Sequence, residues 1–428
     1  MRIVRGLTPA RDALSRSAPA GLGGDEDRER LVRGIVDDVA RRGDAALLEY
    51  TERFDGVAPA RWEVASEQLA AARKSLDPAL ATTLEMVAER IRDFHAGQKQ
   101  SLGEGQDVPI GWRFRPIDRV GVYAPGGTAT LPSSLLMTAI PARVAGVGEV
   151  ILATPPGSDG LPSPIMMAAA AIARVDRVFA VGGAQAIAAL AFGTESVPRV
   201  DKICGPGNIY VMLAKKLLYG IVGIDGLYGP SEVLIIADER ADPANCAADL
   251  LAQAEHDALA AAILVTTSPE LAEKVDAEVT RQLAELPRRE IAAESLDGNG
   301  IIAVVTDCAE AITLANAYAP EHLLLMVADP AAYLDRLTAT GCIITGDRAT
   351  VAIGDYVAGP SHVLPTGGTA RFGSPLNVTD FMKITNVVTI DGAAIAELGP
   401  TAAALAETEG LDGHARAVRR RQPPASGK

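Results

Sequence analysis

From about residue 118 onward, the sequence alternates between short apolar runs rich in β-branched residues and longer stretches with helical periodicity. The apolar runs lie at residues 120–123, 149–154, 177–181, 202–204, 232–237, 262–266, 301–305, 323–327 and 342–345. Strands separated by helices form parallel sheets whose two faces are covered by those helices. The alternation therefore predicts an α/β fold built from two successive parallel-sheet units.

The two ends of the chain follow other patterns. Residues 25–100 repeat apolar positions such as Val32, Ile35 and Val39 at the spacing of an amphipathic helix. The C-terminal segment contains an Ala-rich helix at 401–407 and is too short to form its own core. We therefore expect four regions. A helical N-terminal layer at 1–117 packs on the second α/β unit, the two α/β units lie at 118–231 and 232–370, and a C-terminal segment lies at 371–428.

The length and charge of the chain restrict its class. Its 428 residues exceed what one core usually supports, since cores stop growing near roughly 250 to 300 residues. A net charge of -14 with both signs interspersed argues against a nucleic acid or an anionic membrane as partner. The four cysteines form no CxxC pair, and neither a signal peptide nor a membrane-spanning apolar stretch is found. We expect an enzyme in the reducing cytoplasm.

Three glycine-rich turns follow predicted strands, at 125–127, 182–185 and 205–208. Such turns allow backbone N–H groups to approach a phosphate at the start of the next helix, at the edge of the sheet where α/β proteins bind ligands. The dinucleotide motif GxGxxG is absent, and glycines at these positions also serve packing alone. The turns are compatible with a nucleotide site or with packing.

Four of the five histidines lie beyond residue 250, each beside a carboxylate or an amide. Gln253 and His256 stand three residues apart in a stretch that Asp242-Pro243 marks as the start of a helix, so one helix face would present both. The fifth histidine, His95, has no such neighbour, and we interpret it as an ordinary buried residue.

Asp355, followed by His362, and His414 near the C-terminus would extend the pair Gln253 and His256 to a set of oxygen and nitrogen ligands. That set suits Zn²⁺ or another borderline divalent ion. Each of these side chains is also compatible with a structural role.

Glu321-His322 stands between a predicted helix and the apolar run at 323–327. A carboxylate beside an imidazole at such a junction can face one cleft, and abstraction of a proton from an alcohol at neutral pH requires a base with a pKa near 7. The alternative is a histidine at a helix C-terminus, where the helix dipole favours its charge.

Several motifs, in order along nearly the whole chain, together resemble the histidinol dehydrogenase family. They lie at 123–127, 181–187, 205–211, 229–232, 252–256, 318–322, 354–356, 361–366 and 409–414. The resemblance implies two incomplete Rossmann-like parallel-sheet domains, of which the first binds NAD, with a helical N-terminal layer and a small C-terminal tail domain.

The same resemblance implies NAD-dependent oxidation of L-histidinol to L-histidine through an aldehyde, the last step of histidine biosynthesis. It implies a homodimer with one Zn²⁺ per subunit, in which the C-terminal segment completes the partner's site. The residues carried over are the metal ligands Gln253, His256, Asp355 and His414, the acid-base pair Glu321 and His322, the substrate contacts Ser231, His362 and Glu409 besides the metal ligands and His322, and the NAD contacts Tyr123, Gln185 and Asn208.

The chain departs from the family pattern at Gly226-Leu227-Tyr228 and at Leu131. These positions lie near the expected cofactor and substrate surfaces. They leave open a paralogue that oxidises another primary amino alcohol with NAD and zinc. A non-catalytic protein that binds a small molecule between paired α/β lobes is a more distant alternative.

Overall fold

The computed structural model describes residues 1–16, 26–103, 110–126, 130–346 and 348–422. Its strands are β1 (Arg2–Arg5), β2 (Ile110–Pro116), β3 (Arg119–Tyr123), β4 (Glu149–Thr154), β5 (Arg177–Ala180), β6 (Lys202–Cys204), β7 (Gly223–Ile224), β8 (Glu232–Ala237), β9 (Ala261–Thr266), β10 (Ile301–Val304), β11 (His322–Met326), β12 (Cys342–Thr345) and β13 (Met382–Val388).

The α-helices are α1 (Leu7–Ala13), α2 (Glu26–Arg42), α3 (Asp44–Asp55), α4 (Ser66–Ser75), α5 (Pro78–Ser101), α6 (Pro132–Ala145), α7 (Pro164–Ile172), α8 (Gly183–Phe192), α9 (Ile209–Leu218), α10 (Pro243–Ala254), α11 (Pro269–Leu283), α12 (Arg289–Asn299), α13 (Cys308–Tyr318), α14 (Val351–Tyr356), α15 (Gly392–Thr408) and α16 (Asp412–Arg419). Short 3₁₀ helices lie at Pro330–Arg336, Thr369–Arg371 and Val378–Phe381.

The chain divides into a main unit, Met1–Gln100 with Pro116–Phe381, and a small unit, Ser101–Arg115 with Met382–Lys428. In the described part of the main unit, one sheet has five strands in the order β5-β4-β3-β6-β7 and the other has six in the order β1-β10-β9-β8-β11-β12. All pairings in both sheets are parallel. The predicted α/β fold with two parallel sheets is confirmed.

Both sheets use the same topology. After a first central strand, the chain adds two strands on one side and then returns to add two on the other. The order reverses between β3 and β6 in the five-stranded sheet and between β8 and β11 in the six-stranded sheet. In open α/β sheets a crevice forms at the carboxyl ends of the strands on either side of such a reversal. The edge strand β1 is an addition to the second copy of this pattern.

The strands form where apolar runs are buried on both faces. Every residue of β8 is buried, as expected for a central strand of a parallel sheet covered by helices. Helices α10, α11 and α12 cover one face of the six-stranded sheet, while α1 and α13 pack into the core on the other.

The packing of the N-terminal helices differs from the expected single layer on the second α/β unit. Only β1 and α1 join the six-stranded sheet. The apolar stripe of α2 packs instead against α8 and α9, in the core of the five-stranded sheet. The N-terminal helices therefore do not form one layer, because α1 and α2 bury their apolar faces in different cores. The core residues of α2 are Val32, Ile35, Val36 and Val39.

The small unit contains the two-stranded sheet β13-β2 and the helices α15 and α16. Only Gly399 and Ala403 are buried in α15, and only Ala415 is buried in α16. Large apolar side chains remain exposed, with Ile384 at 61% and Leu405 at 60%. The small unit thus buries few apolar side chains of its own.

Candidate active site

Glu321 and His322 lie at the point where the chain enters the six-stranded sheet. Helix α13 ends at Tyr318, and Ala319 adopts the left-handed conformation with φ 53° that closes the helix. His322 is already the first residue of β11, so it is not a histidine at a helix C-terminus. Both side chains are buried. The sheet fixes the pair, because His322 is paired with Val233 of β8 and with Cys342 of β12.

The His322 ring has a hydrogen-bond acceptor at each nitrogen. Nδ1 lies 3.3 Å from the backbone oxygen of Glu232, and Nε2 lies 2.8 Å from Oδ1 of Asp355. Burial disfavours the charged ring, but the carboxylates of Glu321 and Asp355 outweigh it and raise the pKa of His322 to about 9. As long as Asp355 stays in place, the imidazolium form is favoured.

The Glu321 carboxylate lies beside the same ring. Its Oε2 accepts a hydrogen bond from the Glu232 backbone N–H at 2.7 Å and lies 3.7 Å from His322 Nδ1. Burial raises the pKa of Glu321 to about 7, against the opposing influence of His322 and of that N–H donor. Among the described residues, none donates a hydrogen bond to the other oxygen, Oε1. A carboxylate with one free oxygen and a pKa near neutrality suits proton transfer.

Asp355 is held by the start of its own short helix, α14. On α10, the buried carboxylate of Asp249 accepts hydrogen bonds from the Thr350 hydroxyl at 2.6 Å and from the Val351 N–H at 3.2 Å. Burial tends to raise the pKa of Asp355, but the neighbouring histidines, His322 first, keep it below its usual value. Asp249 therefore fixes the helix that presents an ionised Asp355.

His362 joins this cluster to the five-stranded sheet. Its Nδ1 lies 2.8 Å from the Asp355 backbone oxygen, so Nδ1 carries the proton, and Nε2 accepts from the hydroxyl of Ser134 on α6 at 3.1 Å. Burial lowers the pKa of His362 despite the nearby Asp355 carboxylate. Its neutral form is therefore favoured, unlike that of His322, and both its nitrogens have hydrogen-bond partners.

Gln253 and His256 come from the end of α10. Asp242 caps the helix as predicted, accepting from the Ala244 N–H at 2.7 Å, but the helix ends at Ala254. His256 therefore lies in the following turn and not on the helix, where its N–H still donates to the Gln253 oxygen at 3.2 Å. Gln253 is buried and His256 is exposed.

The donors Gln253, His256 and Asp355 form part of the predicted metal site. Loss of hydration lowers the pKa of His256 while the charge of Asp355 opposes this, so the two residues are close enough to interact. Within the described ranges, the Gln253 amide and the His256 ring have no hydrogen-bond partner. Nor do any three His, Cys, Asp or Glu side chains of the described chain meet where they could hold an ion. The predicted fourth ligand, His414, belongs to the small unit.

The remaining predicted substrate contacts are divided between the two units. Ser231 immediately precedes β8, and its hydroxyl makes no hydrogen bond with the described residues, while its backbone oxygen accepts from the Ala261 N–H at 3.0 Å. Glu409 and His414 lie in the small unit, at the end of α15 and on α16, and both are exposed. Their roles stay predictions.

The predicted NAD contacts Tyr123, Gln185 and Asn208 lie at the carboxyl ends of the five-stranded sheet. The Tyr123 hydroxyl accepts from the Gly183 N–H at 3.1 Å, and burial raises the pKa of this phenol to about 12. Gln185 is buried in α8, and Asn208 caps α9 by accepting from the N–H groups of Tyr210 and Val211, each at 3.1 Å. One N–H group in the first turn of α8 and two in the first turn of α9 are thus already bonded within the protein.

Close packing explains the glycine at the turn after β6. A Cβ atom at Gly205 would lie 2.2 Å from the Tyr123 backbone oxygen, and the residue has φ 114°. Tyr123 ends β3 and Gly205 follows β6, so this close approach lies at the reversal of strand order. The turn at 125–127 includes Gly127, which lies outside the described residues.

Sequence reasoning assigned no role to Glu232, Arg16 or Ser134. Glu232 contacts both members of the acid-base pair through its backbone, Arg16 binds its side chain, and Ser134 binds His362. One signal was present for Glu232, because it is the only charged residue in the apolar run 232–237. Arg16 carries no such signal, since its partner stands far away in the sequence.

His95 is buried with Nδ1 2.8 Å from the Ile91 oxygen.

Comparison with known proteins gives the family. The model of a family described as histidinol dehydrogenase matches residues 23–422. The chain belongs to the histidinol dehydrogenase family. A histidinol dehydrogenase of Dehalococcoides mccartyi is 51% identical over 435 residues, which cover 98% of this chain and 100% of the relative. One from Aquifex aeolicus is 49% identical, with 93% of each chain covered.

A solved structure agrees with this membership. The crystal structure of histidinol dehydrogenase from Elizabethkingia anophelis has a TM-score of 0.92 and 35% sequence identity to this chain, with 98% of each chain covered. As a member of the histidinol dehydrogenase family, the protein is an oxidoreductase, and its membership is consistent with histidine biosynthesis. No helix of the described residues is long and apolar enough to span a membrane.

Proposed function

We propose that this protein oxidises L-histidinol to L-histidine through the aldehyde, with two hydride transfers to NAD, as the last step of histidine biosynthesis in the cytoplasm. The buried Glu321-His322 pair at the amino ends of β8 and β11 carries this proposal. Two adjacent titratable groups with separate pKa values suit two successive proton transfers. Similarity to proteins named histidinol dehydrogenase supports the choice of substrate.

His322 is the base for oxidation of the alcohol. Its Nε2 takes up the proton of the substrate hydroxyl as the hydride leaves the carbon, which requires that this nitrogen first be unprotonated. Asp355 raises the pKa of His322. When another ligand engages the Asp355 carboxylate, that effect weakens, and the imidazole is released to act as a base at lower pH.

Glu321 is the base for the second oxidation. Its Oε1, free among the described residues, accepts a proton from the water that adds to the aldehyde carbonyl. The hydrate forms as its alkoxide, and transfer of a hydride from this anion to NAD would leave the acid. Because the pKa of Glu321 is about 7, the carboxylate is present in sufficient fraction at neutral pH.

Gln253, His256 and Asp355 would hold a zinc ion, one per subunit, with His414 as the fourth ligand. When bound, the ion supplies a positive charge that anchors nitrogen donors such as the imidazole and amine of histidinol. Two uncommitted donors beside an ionised Asp355 support this assignment. Ser231 and its unbonded hydroxyl, His362 and Glu409 would contact the substrate.

NAD would bind at the carboxyl ends of β3 and β6 and would supply the acceptor for the two hydrides. Tyr123, Gln185 and Asn208 would line this site. The reversal of strand order supports it, because α/β sheets bind nucleotides in that crevice.

We further propose a homodimer in which Glu409 and His414 complete the partner's site. The support is physical: both residues are exposed, and they lie in a unit that leaves large apolar side chains in solvent. A second subunit would cover these side chains.

The proposal is tested by following NADH with histidinol and a small panel of other primary amino alcohols. We expect turnover with histidinol, histidine as product and two NADH per substrate. Removal of metal, verified by elemental analysis, is expected to abolish turnover, and added Zn²⁺ to restore it. Full turnover in metal-free protein would contradict the metal assignment.

The same panel tests the paralogue. The contact between Tyr228 and Gly226 favours the paralogue. The Tyr228 ring lies 3.1 Å from the position that a Cβ atom at Gly226 would take, and both residues depart from the family pattern. Turnover of another amino alcohol with a larger kcat/KM than that of histidinol would establish the paralogue. Binding of NAD and an amino alcohol without formation of NADH would indicate a binding protein.

A further inference from the structure

Glu232 contacts both catalytic side chains through its backbone. Its N–H donates to Oε2 of Glu321 at 2.7 Å, and its carbonyl oxygen lies 3.3 Å from Nδ1 of His322. One peptide segment at the start of β8 therefore sets the distance between the two groups. Because these contacts use the backbone of Glu232 and not its side chain, they depend on where this segment lies. The position of the segment therefore controls the geometry of the pair.

The Glu232 side chain is in turn held by Arg16. The guanidinium binds both carboxylate oxygens, with NH2 2.7 Å from Oε2, and Nε donates to the Tyr318 backbone oxygen at 2.9 Å. The guanidinium also stacks 3.8 Å from the centre of the Tyr318 ring. Glu232 is buried and Arg16 is one-quarter exposed. Paired hydrogen bonds of this kind fix direction as well as distance.

Arg16 links the two segments that carry the catalytic pair. Tyr318 is the last residue of α13, three residues before Glu321, and Glu232 begins the neighbouring strand. A third contact, from the Gly367 N–H to Oε1 of Glu232 at 3.2 Å, ties in the loop that follows His362. The cation therefore bridges the approach to β11 and the start of β8, while it contacts neither catalytic side chain.

We propose that Arg16 and Glu232 are positioning residues, whose ion pair holds the Glu232 peptide against Glu321 and His322. This inference rests on the proposed function, because its test is the rate of histidinol oxidation. If the native protein forms no NADH from any amino alcohol, the proposed function fails first. If it does, the variants below test the ion pair alone.

The test uses Arg16→Met, Glu232→Gln and the double variant. Each single change is expected to lower kcat on the order of 10- to 100-fold, since small displacements of catalytic groups cost this much. KM for NAD should stay unchanged. Because both changes break the same pair, the double variant should be no slower than the slower single variant. Arg16→Lys, which keeps the charge and one hydrogen bond, should recover part of the rate.

The pH dependence separates positioning from simple electrostatics. Glu321 faces the charges of His322, Asp355 and Glu232 and must be ionised to act as a base. Arg16→Met leaves Glu232 without its counter-ion and should raise the pKa of Glu321, moving the acidic limb of the aldehyde reaction to higher pH. Glu232→Gln removes a negative charge and should move that limb to lower pH. Positioning nevertheless predicts that both variants lose kcat at the plateau.

Arg177→Met is the matched control. Arg177 binds both oxygens of Glu63 at 2.7 Å and lies 5.0 Å from the Phe179 ring, so it resembles Arg16 but is away from the catalytic pair. It should keep the native kcat. Thermal unfolding establishes that each variant is folded. Unchanged kcat in folded Arg16→Met and Glu232→Gln, multiplied losses in the double variant, or equal loss in Arg177→Met would each overturn the proposal.

Discussion

His322 and His362 differ in what their ring nitrogens contact, and this difference determines their charge. His322 faces a carboxylate and a carbonyl oxygen, which only accept hydrogen bonds. His362 faces one carbonyl oxygen and one hydroxyl, which a neutral ring satisfies. The pKa of His322 is raised and that of His362 is lowered. Two histidines near the same aspartate thus have pKa values that are shifted in opposite directions.

Selective labelling of the five histidines makes these states measurable by NMR. In metal-free protein, we expect His322 to titrate near pH 9 and His362 to titrate below the usual range of a histidine. Asp355→Asn should lower the pKa of His322, because it removes a carboxylate that stabilises the imidazolium. His322→Asn assigns the signal. If His322 titrates at or below 6.5 in the unchanged metal-free protein, the contact with Asp355 is absent in solution.

The two proposed catalytic residues, Glu321 and His322, should separate the two proposed oxidations. His322→Ala is expected to lower alcohol oxidation on the order of 10²- to 10⁴-fold, the usual contribution of a general base. Glu321→Gln should reduce aldehyde oxidation more than alcohol oxidation, because it removes the base that activates water.

Each half-reaction is measured separately, with histidinol and with the aldehyde as substrate. The pKa of Glu321 is about 7 and only its ionised form is a base, so aldehyde oxidation should fall as pH drops below about 7. Equal losses of both half-reactions in Glu321→Gln would exclude a specific role in hydration.

At the scale of elements, the turn after β6 contains a glycine, Gly205, that packs directly against backbone. Alanine at Gly205 would place Cβ 2.2 Å from the Tyr123 oxygen, which is backbone and cannot move aside. Gly220 has a similar φ of 102° with nothing within 4 Å of such a Cβ. The two glycines therefore separate backbone strain from close packing.

Gly220→Ala should lower the free energy of unfolding by about 1 to 2 kcal/mol, the cost of a left-handed residue. Gly205→Ala adds overpacking and should cost about 2 to 5 kcal/mol in sum. Urea unfolding measures both. Gly205→Ala should also raise KM for NAD if the proposed crevice is correct. Equal losses of stability would mean that the contact with Tyr123 is not maintained.

The central strands were predictable because they are buried on both faces and are therefore continuous apolar runs, as in 149–154 and 232–237. Strand β1 was missed since Ile3 and Val4 are its only apolar residues and it lies at a sheet edge. Strand β13 was missed because most of its residues are exposed and carry no alternation. Partial burial removes the pattern from which strands are predicted.

The candidate site was predictable from side-chain chemistry, but not its supports. Glu321 and His322 are neighbours in sequence, and the structure brings Asp355 to His322. Arg16 and Glu232 meet only through tertiary structure, and ordinary residue types gave no reason to pair them. His256 was placed on a helix because spacing alone does not reveal that α10 ends at Ala254.

At the scale of the whole molecule, the two sheets of the main unit would contribute opposite ends to the proposed site. The predicted NAD contacts follow the carboxyl ends of β3, β5 and β6, whereas Glu232 and His322 stand at the amino ends of β8 and β11. The hydrogen bond between Ser134 and His362 joins the two sides. Of two sheets with the same topology, one would thus use the carboxyl ends of its strands and the other the amino ends.

The homodimer is tested by complementation. If Glu409 and His414 serve the partner subunit, mixing His322→Ala with His414→Ala should restore activity, because one of the two sites in each heterodimer receives both intact residues. Random exchange yields about half heterodimers, so recovery should approach roughly a quarter of the native rate. The subunits are co-expressed so that they exchange.

A matched mixture of His322→Ala with Glu321→Gln should gain no aldehyde oxidation beyond the average of the two homodimers if both residues act within one subunit. Purified heterodimers, separated by two different tags, give the direct measurement. Inactive heterodimers of His322→Ala and His414→Ala would mean that the C-terminal segment serves its own subunit.

The pairing of β1 with β10 has a consequence for synthesis. Residues 2–5 are made about 300 residues before their partner, 301–304, which follows the whole five-stranded sheet and the first strands of the other. At bacterial and eukaryotic elongation rates of about 5 to 20 residues per second, β1 waits on the order of 15 to 60 s for its place. The five-stranded sheet can assemble in that interval, before β1 has a partner strand with which to pair.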